Sequence, residues 1–397
     1  METRDWSLVF FTVLTQAAVG AFLTLRVLEY LSARRGGDGG RAADGPQDND
    51  PATTGAQGDK PEAGNAQARG RAMASATHAG RRTPTPLLVV LAVLSAGLFA
   101  ALFHLSDPLQ AARAVVNFSS SWLSREIVFG SLFAALLSVL VWHEWRVAYS
   151  GAASSAKERR AATPAPAGPP SATPAKGRRE TGPEPANPTP ANPALATWLP
   201  RLAVAAGLAF LGCQIAIYLL PAQPAWNSFA TPAGFGGTAL RLGILGVAAG
   251  FVAQRLTLTG DALSGSDPVT SRGTPAATLR GLALAGIAAL ALEFVVVPLH
   301  LSSLAANPLP AAAASVQRLT GDYGGILLLR LGLLGAAAAA LGGVLASIRR
   351  AGGSSGSSGY SPHPLASVLT CGAFGLTAAS EVCGRFLFYA MQVRVGI

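Results

Sequence analysis

The sequence predicts an all-α, polytopic integral membrane protein with eight transmembrane helices. Three observations carry that prediction. Half of the 397 residues are hydrophobic, only 13% are charged and mean hydropathy is +0.39, too apolar for a soluble chain with one or two cores. Eight apolar stretches reach the roughly 20 residues that a helix needs to cross a bilayer. Lys and Arg are shared unequally between alternate connections, the mark of membrane orientation. That asymmetry also gives the net charge of +10 a membrane meaning, so lipid is the expected surroundings and nucleic acid is not a partner.

The eight stretches lie at roughly 7–31, 87–106, 123–144, 198–220, 238–258, 277–299, 325–348 and 366–391. The first follows Arg4 and lacks a small-residue cleavage site, so it reads as a retained helix rather than a removed signal peptide. The second ends in His104. Asp107-Pro108 then makes a turn, because Pro fixes φ and has no N–H with which to continue a helix. Ser119-Ser-Ser-Trp-Leu-Ser124 offers N-cap hydroxyls to the third helix, with Trp122 as an interfacial anchor. The fifth stretch is the weakest, since Arg241 sits near its start. Glu293 in the sixth and Arg330 in the seventh are further charges inside apolar runs, of a sign to neutralise each other, although nothing in the sequence pairs them. In the eighth, Glu381 and Arg385 stand four residues apart, share a helix face and are expected to pair.

Two long connections, about 34–85 and 146–197, are rich in Ala, Pro, Gly and Arg and are expected to be disordered. Gly352 to Gly359 reads as a flexible connector. The organisation is therefore residues 1–145 with helices one to three, a Pro/Ala-rich loop over 146–197, and residues 198–397 with helices four to eight. His104-Leu-Ser near the end of the second helix is echoed by His300-Leu-Ser at the sixth, which suggests two parallel four-helix bundles.

Nineteen Lys and Arg fall in the connections after helices one, three, five and seven, against four (Arg4, Arg113, Arg318 and Arg394) on the other side. The positive-inside rule then puts both termini outside the inner (plasma) membrane, periplasmic in a Gram-negative cell, together with the loop from His104 to Glu126. Cys213, Cys371 and Cys383 lie in apolar runs without metal-site spacing and read as small hydrophobes.

Glu126 and His104 are the residues with chemistry to offer. A charged group inside a bilayer costs roughly 2.5 to 3.5 kcal/mol on insertion scales, so it marks a site by default. Two readings of Glu126 stand at this point. It is a first-turn acid favoured by the helix dipole, with Arg125 reaching the surface; or it exchanges protons, together with His104, with a lipid-soluble molecule.

The stretch HLSDPLQAARAVVNFSSSWLSREIVFGSLF (104–133), the opening Trp6 to Gly20 with its Gln16, and the close Glu381-Val-Cys-Gly-Arg385-Phe-Leu-Phe-Tyr389 resemble the membrane anchor subunit of dimethyl sulfoxide reductase. That resemblance implies a non-catalytic subunit of an anaerobic respiratory complex. It would hold a molybdopterin catalytic subunit and an iron–sulfur electron-transfer subunit to the membrane and oxidise menaquinol near the outer face. The family's quinol-site His and Glu align with His104 and Glu126, and Arg125 and Arg385 are expected to border the site. Quinol oxidation releases two protons, one for an imidazole that titrates near neutral pH and one for a carboxylate. Menaquinol/menaquinone is the expected cofactor, with no haem or metal in this chain, while the terminal acceptor belongs to the partner. A haem cytochrome using His104 and His300 and a secondary transporter are the alternatives.

Overall fold

A computed structural model describes residues 3–41, 85–103, 117–162, 193–262, 276–352 and 364–393. These are helical almost throughout, and eight of the helices are long and apolar enough to cross a membrane. The chain is a multi-pass membrane protein. In order the helices are α1 (Thr3–Arg41), α2 (Thr85–Leu102), α3 (Trp122–Ala162), α4 (Pro193–Tyr218), α5 (Ala230–Ala262) and α6 (Ala276–Ala305), then a short α7 (Pro310–Gln317), α8 (Gly324–Gly352) and α9 (Pro364–Ala390).

The expected spans are all present, with boundaries moved for identifiable reasons. Helix α1 runs on to Arg41 and α3 to Ala162, so the first residues of both long connections are helical. The Ala-rich composition of 148–162, with Lys157, Glu158, Arg159 and Arg160, favours propagation from a helix already formed. The rest of those connections, 42–84 and 163–192, lies outside the described residues, as do most of Gly352 to Gly359 and His104 itself. Helix α6 continues through Pro298 to Ala305, placing His300 inside the helix, not at its end. Asn307 Oδ1 then accepts from the Leu309 N–H at 3.0 Å, an Asx turn that opens α7.

Two four-helix groups are present. In the first, α1 packs on α2, α2 on α3 and α3 on α4, with α4 returning to α1. In the second, α5, α6, α8 and α9 repeat that square. The two groups meet chiefly along α1 and α5, and the crossing is made of bare backbone. A Cβ added at Gly20 would overlap the Ala239 carbonyl, and one at Gly243 would overlap the Gly20 peptide. Small residues let membrane helices approach this closely, because packing rather than hydrophobic expulsion holds them together in lipid. Helix α5, marked as the weakest span by Arg241, is the most enclosed of the eight.

Each group has its own apolar core. Phe22, Leu94, Phe133, Leu137 and Phe210 fill the first, with Phe22 and Phe133 edge to face at 5.6 Å. Leu245, Leu290, Leu334 and Leu341 fill the second. A third cluster, built on Trp226, Leu304, Leu319 and Leu387, closes the second group at the face where α4, α6 and α9 end. Trp226 stacks on Phe388 at 5.3 Å and its indole N–H donates to the Phe388 carbonyl at 2.7 Å. This lid fixes the α4–α5 connection over the polar residues beneath.

Candidate functional site

The Ser-rich loop behaves as its sequence requires. Ser121 caps α3, its hydroxyl accepting from the Ser124 N–H at 3.3 Å. Because α3 starts at Trp122, Glu126 lies beyond the first turn rather than in it, contrary to the first-turn expectation. It points inward and is only 6% exposed. That geometry removes the helix-dipole explanation, which fades beyond the first turn. Its carboxyl group faces the Gln214 side chain on α4.

Arg125 goes the other way. Its guanidinium donates to the Phe118 carbonyl at 2.9 Å and the Ser119 carbonyl at 2.7 Å, and lies over the Trp122 ring at 4.3 Å. It fastens the loop at the start of α3, a positioning role on the exposed surface.

From Glu126 a polar path leads into the second helix group. The Gln214 amide donates to Thr15 Oγ1 at 2.9 Å and its oxygen accepts from Gln16 at 3.2 Å. Gln16 Oε1 in turn accepts from Arg385 at 2.6 Å. Arg385 stands 3.8 Å over the Phe235 ring centroid and 3.5 Å from Thr238 Oγ1. The expected Glu381–Arg385 pair is not what forms. Glu381 instead receives Thr238 Oγ1 at 2.7 Å and Arg241 Nε at 2.5 Å. Sharing a face lets two residues pair, but both are recruited by closer partners on other helices.

Arg241 is 1% exposed and bridges two carboxylates, reaching Glu293 Oε2 at 2.8 Å as well as Glu381. Glu293 is also held by Arg330, a pairing the sequence does not specify, with Arg241 as a third member. Gly384 makes room for it: a Cβ there would lie 2.6 Å from Arg330 Nε. Such a lattice satisfies charges that would otherwise be prohibitive in a low-dielectric interior.

Several members are weakly marked in the sequence. Gln214 stands beside Cys213 in an apolar run, where a buried amide needs partners and therefore predicts them. Arg241 reads as a weakness of its span, although an intramembrane cation is itself a site signal. Thr238 carries no signal, because a Thr in a helix commonly bonds its own preceding carbonyl, as this one also does at 2.9 Å from Gly234. Cys213, Cys371 and Cys383 are unbridged.

Comparison with known proteins gives a family match and a similar relative. A family model described as DMSO reductase anchor subunit (DmsC) matches residues 74–151. A sulfite dehydrogenase subunit from Allochromatium vinosum is 44% identical over 61 residues, 15% of this chain and 19% of that relative. The aligned part thus spans about a fifth of the relative's length. No solved structure matches. Over residues 74–151, the segment that contains α2, the Ser-rich loop and the buried Glu126, this chain matches the DMSO reductase anchor subunit family.

Proposed function

We propose that this chain is the membrane anchor of a molybdopterin oxidoreductase complex of the dimethyl sulfoxide reductase type, and that it oxidises menaquinol beside Glu126. The observation that carries the reading is the inward-facing Glu126, nearly enclosed and against Gln214, inside the stretch matched by the anchor family.

The chemistry follows from the groups. A quinol hydroxyl placed against Glu126 gives its proton to the carboxylate, and the Gln214 amide, held by Thr15 and Gln16, keeps the acceptor oriented. His104 takes the second proton. Both electrons leave to an iron–sulfur cluster of the partner, since this chain serves to position the quinol and accept its protons. The site faces outward under the positive-inside rule, so the protons are released on the extracytoplasmic side.

The decisive experiment is the Glu126→Gln substitution in the intact complex. It should leave assembly unchanged and lower menaquinol oxidation by about 100-fold or more, the low end of what a positioned acid–base group supplies. Wild-type turnover would remove Glu126 from the mechanism. Co-purification identifies the soluble subunits, and reporter fusions at residues 110 and 225 test the outward placement.

The similarity to a sulfite dehydrogenase subunit supports a second reading, in which the catalytic partner oxidises sulfite and this chain delivers the electrons to quinone. Sulfite-dependent reduction of a naphthoquinone by the purified complex, with no reduction of dimethyl sulfoxide by menaquinol, would select that direction.

A further inference from the structure

The second helix group encloses a cavity of about 90 Å³, several times the ~10–15 Å³ that one water needs. Glu293, Arg330, Glu381, Arg385 and His300 are among the side chains that line it. His300 is 9% exposed. Its Nδ1 lies 3.4 Å from Ser228 Oγ, while Nε2 has no hydrogen-bond partner among the described residues. Arg330 Nε is likewise buried and unpartnered among them, although the same guanidinium holds Glu293. A buried donor left unmade costs about 1–3 kcal/mol, and native proteins rarely leave one.

The charges of the lining balance, Arg330 and Arg385 against Glu293 and Glu381, and both carboxylates are already bonded by Arg241 from outside it. The free valences at Arg330 Nε and His300 Nε2 call for a hydrogen-bond acceptor. The rest of the lining is mostly apolar and aromatic, including Phe235 and Phe388 beside Thr231 and Thr238, and the rim at Val296, Val297, Leu301 and Leu327 is only half-buried. An apolar rim on lipid-facing helices admits a ligand from the bilayer. It disfavours a hydrated phosphate, which would have to shed its water against hydrocarbon.

We propose that this cavity is a second quinone site, in which a carbonyl oxygen of the ring accepts from Arg330 Nε and His300 Nε2. Hydrogen bonds run from its Arg385 through Gln16 to Gln214, the side chain that faces Glu126. The assignment extends the quinol reading, yet it concerns binding alone and can be tested apart from turnover.

The test is photolabelling of the full chain in phospholipid nanodiscs with an azido-naphthoquinone, followed by peptide mass spectrometry. Label should appear both in the α3 segment around Glu126 and in the α6 or α8 segments around Val297 and Leu327. His300→Leu should lower the α6 and α8 label by about tenfold, the effect of losing one hydrogen bond of ordinary strength, and leave the α3 label intact. Leu327→Trp, which fills the mouth and keeps every polar group, should do the same at unchanged thermal stability. Glu126→Gln should have the opposite selectivity. Label confined to α3, or α6 and α8 label competed away by excess phospholipid and not by unlabelled naphthoquinone, overturns the second site and leaves the Glu126 proposal standing. Label confined to α6 and α8 supports the cavity and overturns the Glu126 proposal instead.

Discussion

Arg385 donates to Gln16 Oε1 at 2.6 Å and leaves Glu381, one turn earlier on its own helix, to Arg241. A bond between α9 and α1 thus replaces one within α9. Arg385 is tied to the first helix group, and Glu381 to the lattice of the second.

Removal of Arg241 should therefore be the most damaging single change to the polar interior. It strands two carboxylates, Glu293 and Glu381, where breaking one buried pair already costs ~3–5 kcal/mol. Arg241→Leu should fail to accumulate or melt far below wild type in a detergent thermal-shift assay. The triple change Arg241→Leu, Glu293→Gln, Glu381→Gln should recover much of the loss, because no unpaired charge remains.

Arg385→Leu should weaken the link between the two sites while leaving the Arg241 lattice in place. The measurable outcome is a smaller loss of thermal stability than for Arg241→Leu, together with slower quinol oxidation. Arg385→Lys should restore part of the stability but not the reach to both Gln16 and Thr238, since a lysine is a point charge on a flexible stem.

Gln214→Leu is predicted to impair quinol oxidation almost as strongly as Glu126→Gln. It removes the group that faces Glu126 and also frees Thr15 and Gln16. Gln214→Glu should retain more activity than Gln214→Leu, because it keeps an acceptor for Gln16; a purely packing role would give the reverse order in a turnover assay.

Gly384→Leu should push Arg330 away from Glu293, since a side chain there meets the guanidinium. Naphthoquinone labelling near Leu327 should fall, while labelling near Glu126 stays constant. Arg125→Ala, by contrast, should free the Phe118 and Ser119 carbonyls and speed amide exchange at Ser120 to Ser124 without changing quinol affinity by more than about twofold, as expected for an exposed contact.

Legibility of this molecule from its sequence differs sharply by level. The eight spans are readable because hydrophobic length is a strong constraint in a bilayer, and Glu126 is readable because an acid there is expensive. Partners are much less readable. Glu381 and Arg385 satisfy every local rule for pairing, and the tertiary fold offers each something closer. Gln16, Gln214 and Thr238 come together from α1, α4 and α5, separated by about 200 residues of chain in the Gln16–Gln214 contact, and no periodicity encodes such a meeting. His300 looks like a helix end in the sequence; Pro298, which invites a stop, is instead accommodated inside α6.

The contact of Gly20 with Ala239 and Gly243 has a consequence for how the halves fit together. Where two helices touch through their peptide groups, no rotamer can lengthen or shorten the gap, and a close-packed crossing does not deform gradually. The separation of α1 from α5 is accordingly set by backbone at this crossing, and the two bundles cannot slide closer there.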